Sequence, residues 1–246
     1  MTPNPTQSGV QTALRSFLLA VLPAGVDVLE AQDNRVGEPS AGDFVIMTTL
    51  RRTRLATNFD SSADVKFTGA IAATVMTVYS VTRGTIAAGA KVFGVGVAAN
   101  TTISAQTSGS PPGGVGTYTV SPSQTVSRET LSCGAKGLTQ NTEIAVQLDF
   151  HSANVGDSAD MAQSVSTAMR DGWAVQQFRD QSPNYGVTPL HADDPRQVPF
   201  INENQAYETR WIVSAFLQVD TAISVSQEFA DAAIVDTVNV DATYPL

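Results

Sequence analysis

The stretch Thr142-Glu-Ile-Ala-Val-Gln-Leu-Asp-Phe-His-Ser152 decides the fold. Ile144, Val146, Leu148 and Phe150 point one way along it, and Gln147, Asp149 and His151 point the other. That period of two reads as a half-buried antiparallel strand. Its apolar face needs a covering layer, and two segments can supply one. Val10, Ala13, Leu14, Phe17, Leu18 and Val21 recur at helical spacing and predict a helix over Gly9–Leu22. Ser8-Gly-Val-Gln11 has capping-box spacing, and Pro23-Ala-Gly25 ends the run. A second stripe, Met161, Val165, Ala168 and Met169, predicts a helix capped by Asp157 or Ser158 that stops between Gly172 and Phe178.

Two more long strands follow from alternation. Asp43–Thr57 carries Phe44, Ile46, Thr48 and Leu50 on one face and Val45, Met47 and Thr49 on the other. Thr209–Val219 carries Trp211, Val213, Ala215, Leu217 and Val219 on one face. Short strands are expected at Val26–Leu29 and Ala233–Val240. The fold class is α+β, a mostly antiparallel sheet with two amphipathic helices on one face.

The middle of the chain differs in composition. Residues 67–134 hold 10 of the 18 Gly, and their charged side chains are only Arg83, Lys91, Arg128 and Glu129. Short Val/Thr/Ile/Tyr runs separated by Gly and Pro read as all-β, an Ig-like sandwich or a small barrel. Its candidate strands are Val65–Ala70, Thr74–Val81, Lys91–Phe93, Thr101–Gln106, Val115–Val120 and Thr125–Ser132. Residues 108–115 read as a mobile loop tip. The expected organisation is a discontinuous core, 1–62 and 135–246, with an inserted β domain at 63–134. Both ends of that insert fall in one strand–strand connection.

Composition excludes several functions. The chain has 246 residues, 14 Lys+Arg against 23 Asp+Glu, and a net charge of −9. Only three residues are Lys, so the basic footprint of a duplex-DNA reader is missing. One Cys and two His leave no disulfide framework and no multi-His metal site. No apolar run reaches the ~20 residues of a membrane span, and Phe17–Leu22 lacks the flanks of a signal peptide. No cofactor is expected.

Candidate chemistry is sparse. Asp149 and His151 share a strand face and could orient a base, but no nucleophile is placed beside them; a solvated or interfacial face is the plainer reading. His191, Asp193 and Asp194 could hold a metal, yet the flanking prolines make an irregular loop with no fixed geometry. Gly94-Val-Gly-Val97 lacks the third glycine of a nucleotide loop and reads as turn glycines. Cys133 reads as a buried structural thiol. Arg51-Arg-Thr-Arg54 is the one dense basic cluster, with Arg52 and Arg54 on one face and Arg51 on the other. Three readings stay open for it: ion pairs across a subunit interface, a solvated strand end, or contact with nucleic acid. The interface candidates are Arg51, Arg52, Arg54, Asp149, His151 and Arg210; no catalytic or metal-ligating residue is assigned.

An ordered series carries a resemblance: Gln32–Val36, Gly42-Asp-Phe-Val-Ile-Met47, Leu50–Thr57, Gln147–Ser152, Asp160-Met-Ala162, Tyr185–Leu190, Pro199–Asn202 and Tyr207-Glu-Thr-Arg-Trp211. It resembles the neck terminator and tail-completion proteins of long-tailed bacteriophages. Phe67–Ile71, Gly94–Val97 and Gly116–Val126 resemble a β module found in several phage structural proteins. The resemblance implies a homo-hexameric ring in the virion neck, assembled in the host cytoplasm. Its partners would be the head-side connector and the tail tube protein, with the sheath left open, and DNA would pass the lumen without specific binding. A phage decoration or adhesin-like protein displaying the β insert is the alternative.

Overall fold

A computed structural model describes residues 2–31, 42–152, 156–198, 200–201 and 207–229. The expected strand at Ala233–Val240 and the stretch Gln32–Val36 lie outside these residues. The chain divides into two compact units, Met1–Asp60 with Leu138–Ile223 and Ser61–Gly137 with Ser224–Leu246.

In the first unit, helix α1 spans Gln7–Val21. Its cap is Thr6, whose side chain accepts from the Gly9 amide at 3.1 Å, so the helix begins two residues before the expected Ser8 box. Strand β1 (Asp27–Glu30) runs parallel to β2 (Phe44–Arg54). After β3 (Phe59–Ala63) come β4 (Lys66–Arg83), β5 (Thr102–Ser108) and β6 (Gly116–Ser132) of the second unit. Strand β7 (Gly134–Ser152) then returns, starting eight residues earlier than its alternation predicts. It pairs antiparallel with β2, from Phe44↔His151 to Arg54↔Thr142.

The single expected helix after β7 is two. Helix α2 (Asp157–Met169) has Gly156 at its N-cap and no side-chain cap, unlike the expectation for Asp157 or Ser158. Asp157 and Asp160 in its first turn still meet the positive end of the helix dipole. The chain breaks at Asp171, whose carboxylate accepts from the Trp173 amide at 2.7 Å and opens α3 (Gly172–Arg179). After α3, β8 (Val187–Ala192), β9 (Arg196–Gln197) and β10 (Phe200–Ile201) all pair with β11 (Tyr207–Gln227). The sheet order is β1-β2-β7-β11-β10, antiparallel apart from β1/β2 among the pairings described.

The core lies between one sheet face and the helices. Val45, Met47, Ile144, Leu148, Phe150, Val213 and Leu217 meet Leu14, Phe17, Val165 and Phe178 there. Phe17 stacks on Phe178 at 5.1 Å and reaches Trp173 at 6.0 Å. Gln181 Nε2 ties the following loop to α1 by donating to the Ala13 carbonyl at 2.9 Å.

The second unit is a three-stranded antiparallel sheet in the order β4-β6-β5. Expected strands merge: Val65–Ala70 with Thr74–Val81 become β4, and Val115–Val120 with Thr125–Ser132 become β6. Register shifts at Gly69/Ile71 and Ala73/Val75 let these long strands bend instead of breaking. Lys91 and Phe93 contribute only isolated bridges, to Thr102 and Ser132. Phe67, Ile71, Met76, Ile103, Tyr118 and Leu131 form the separate core.

The expected loop tip at 108–115 is tied down. The Gly113 amide donates to Gln106 Oε1 at 2.7 Å, its carbonyl accepts from the Ile86 amide at 2.9 Å, and Tyr118 donates its hydroxyl to the Gly114 carbonyl. Gly113 has φ +78° and no room for a Cβ, which would lie 2.2 Å from Thr85 Cγ2. Hydrogen bonds to specific partners outweigh the flexible composition here.

Cys133 is 2% exposed, and burial pushes its thiol from the ordinary 9.0 up to about 12. The unfolded thiol ionises first, so the unfolded state binds fewer protons as pH rises through that window. Wild type is therefore expected to lose stability relative to Cys133→Ala between about pH 9 and about pH 11, by up to ~1.4 kcal/mol per pH unit. Urea unfolding of both proteins across that range checks the sign. In the other core, Phe150→Ala is expected to cost ~3–5 kcal/mol, because a fully buried ring leaves a cavity that strands cannot close; the same unfolding assay measures it.

Candidate functional site

The sheet face opposite the helices is also covered near β7. Asp149 and His151 are 4% and 5% exposed, so this stretch is buried on both faces rather than half-buried. Phe44, directly across the ladder, lies parallel to the His151 ring at 4.6 Å. Arg210 of β11 donates from Nε and Nη2 to Asp149 Oδ1 at 2.9 and 2.6 Å. Gln147 Nε2 donates to both carboxylate oxygens at 3.0 Å. A buried carboxylate is tolerable only with such charge-assisted bonds around it. Asp149 and Arg210, far apart in sequence, are thus brought together as an internal pair.

The arginine cluster sits elsewhere, at the end of β2. Leu50 is an extra residue between Thr49, opposite Val146, and Arg51, opposite Ala145. The bulge inverts the alternation. Before it, odd residues share the helix-side face; after it, Arg52 and Arg54 lie on that side, and Arg51 lies on the other. Leu50 through Arg54 are all exposed. Arg52 reaches back to Gln7 Oε1 at the start of α1, at 2.5 Å. Arg51 lies 3.6 Å from Glu143, a solvated pair of little energetic weight. The pairing continues beyond β2: the Leu55 amide donates to the Asn141 carbonyl, and Gln140 donates to Asn58. Leu50, Leu55 and Phe59 leave large apolar side chains about half exposed along this ribbon.

The weaker chemical candidates separate. His191 stacks on Phe216 at 4.4 Å, whereas Asp194 binds Arg170 at 2.9 Å. Among the described residues, no group of three or more His, Cys, Asp or Glu could hold a metal ion. At Gly94, an added Cβ would lie 2.4 Å from Leu131 Cδ2, so this glycine serves close packing against β6. Among the described residues, no helix is long and apolar enough to cross a membrane.

Removing one member of a buried ion pair strands the other. Asp149→Ala is expected to destabilise by ~3–5 kcal/mol, and Glu143→Ala, at the solvated pair, by less than ~1 kcal/mol. Chemical denaturation of the two variants measures the contrast.

No curated protein matches the chain. The family described as "Phage neck terminator protein" matches residues 85–243, entering within the β-rich middle and running through β11. A match over more than half the sequence, in agreement with the α+β sheet, establishes that this chain belongs to the phage neck terminator protein family.

Proposed function

We propose that the chain is a structural protein of the phage neck that closes into a homo-hexameric ring, terminates the tail tube and joins it to the head-side connector. The family match over residues 85–243 carries this reading. In it the protein works by shape rather than by catalysis. Identical copies meeting head-to-tail close when the rotation fits six of them. The net charge of −9 suits a conduit, because carboxylates facing a lumen repel phosphate and keep passing DNA mobile. The inserted β segment, residues 66–133, with only five charged side chains, is assigned to the outside of the ring, where it can contact neighbouring virion proteins.

Negative-stain imaging and mass photometry of the purified full chain test the ring. Six-fold particles with about six times the 25.8 kDa subunit mass are expected. A monomer at micromolar concentration, or absence of the protein from mature virions, overturns the reading. Replacing residues 66–133 by a short linker is expected to leave the ring intact; monomers from that variant would contradict the outward placement.

A further inference from the structure

In the second unit, the residues between β4 and β5 border a hollow of about 370 Å³. Lys91, Phe93, Gly94, Val97 and Asn100 line it, together with Glu228 just beyond β11. Its wall is fastened. The Val92 amide donates to the Thr101 carbonyl at 2.8 Å, and the hydroxyl of the fully buried Thr101 donates to the Ala98 carbonyl at 2.6 Å. Gln124 of β6 clamps the same loop with both ends of its amide. Its Oε1 accepts from the Ala98 amide and its Nε2 donates to Thr101 Oγ1, each at 2.7 Å. A cavity whose wall is already fixed costs little ordering when a ligand enters.

The lining limits the chemistry of that ligand. Lys91 and Glu228 contribute one charge of each sign, so the hollow selects neither an anion nor a cation. Asn100 Oδ1 accepts from Lys91 Nζ at 2.9 Å, which leaves the amide NH2 to donate elsewhere. Lys91 and Asn100 thus offer donors and Glu228 an acceptor, alongside the half-buried Phe93 and Val97. A wholly apolar ligand would strip water from the polar groups and return no hydrogen bond. A pyranose meets both demands. Each of its hydroxyls donates and accepts, and its C–H face suits an aromatic or aliphatic wall.

One further group has an unmet need. Glu129 Oε1 is enclosed and has no hydrogen-bond partner among the described residues. It lies 2.9 Å from the point that a Cβ on Gly94 would occupy. Gly94 lines the hollow and carries no side chain, so it does not block a hydroxyl approaching that carboxylate.

We propose that this hollow is a binding site for a neutral pyranose. Lys91 and Asn100 donate to its hydroxyls, Glu228 accepts from them, and Phe93 with Val97 flanks its apolar face. The site lies within one copy, so it stands or falls separately from the ring.

Saturation-transfer NMR on the full chain tests it, with the methyl pyranosides of glucose, galactose, mannose and N-acetylglucosamine as probes. Transfer to at least one of them is expected, with a Kd on the order of 1 mM for a single ring. Glu228→Ala and Lys91→Ala are each expected to weaken that binding roughly tenfold. Thermal unfolding confirms that both variants are folded, and Lys91→Met, which keeps the apolar stem, replaces Lys91→Ala if that variant is not. No transfer to any of these probes overturns the proposal. So does transfer that both substitutions leave unchanged, and so does full displacement of the sugar by inorganic phosphate, which would make Lys91 part of an anion site.

Discussion

The burial of β7 on both faces is the constraint on which the first unit depends. Leu148 and Phe150 face the helices, and Asp149 and His151 face away, yet all four are almost fully enclosed. Side chains alternate strictly along a strand, so a slip of one residue would press Asp149 into the helix-side core and strand its carboxylate there. The cost would be several kcal/mol at the carboxylate alone, before the lost apolar contacts of Leu148 and Phe150. Arg210 and Gln147 hold the carboxylate in place, and Phe44 closes over His151. Register is therefore specified twice, by apolar packing on one side and by charge-assisted hydrogen bonds on the other.

That register propagates through the ladder. With Phe44 opposite His151 and Met47 opposite Leu148, β2 has no freedom to shift. The Leu50 bulge takes up one residue, and the strand then runs on with its faces exchanged. Arg52 consequently points toward the α1 side, where it meets Gln7, whereas simple alternation from Met47 would place Arg51 there. The arginines sit where they do because of a single inserted leucine.

The parts legible in the sequence are those governed by one dominant period. α1 shows its apolar stripe because its other face is solvated; β7 and β11 show theirs because one face meets that stripe. Helix α3 is hidden, since its eight residues carry only Ala174 and Phe178 inward and follow α2 with barely a break. The β4 and β6 strands read as pairs of shorter ones, interrupted at residues 71–73 and 121–124, whereas here the strands bend at register shifts and continue. The Asp149–Arg210 pair is not legible at all. It joins residues 61 positions apart, and nothing in the alternation of either strand distinguishes a buried polar face from a wet one.

Net charge sharpens the meaning of the arginine cluster. A chain at −9 repels a second copy at long range, so non-specific association is disfavoured and any contact between copies needs local complementarity. Much of the positive charge is already committed within the chain. Arg210 holds Asp149, Arg83 holds Asp64, Arg170 holds Asp194, Arg179 lies on Asp180, and Arg128 sits over the Tyr79 ring at 4.3 Å. At the end of β2, Arg51, Arg52 and Arg54 are exposed together even though Arg52 reaches Gln7 and Arg51 lies near Glu143, so among the described residues a single carboxylate stands beside three guanidinium groups.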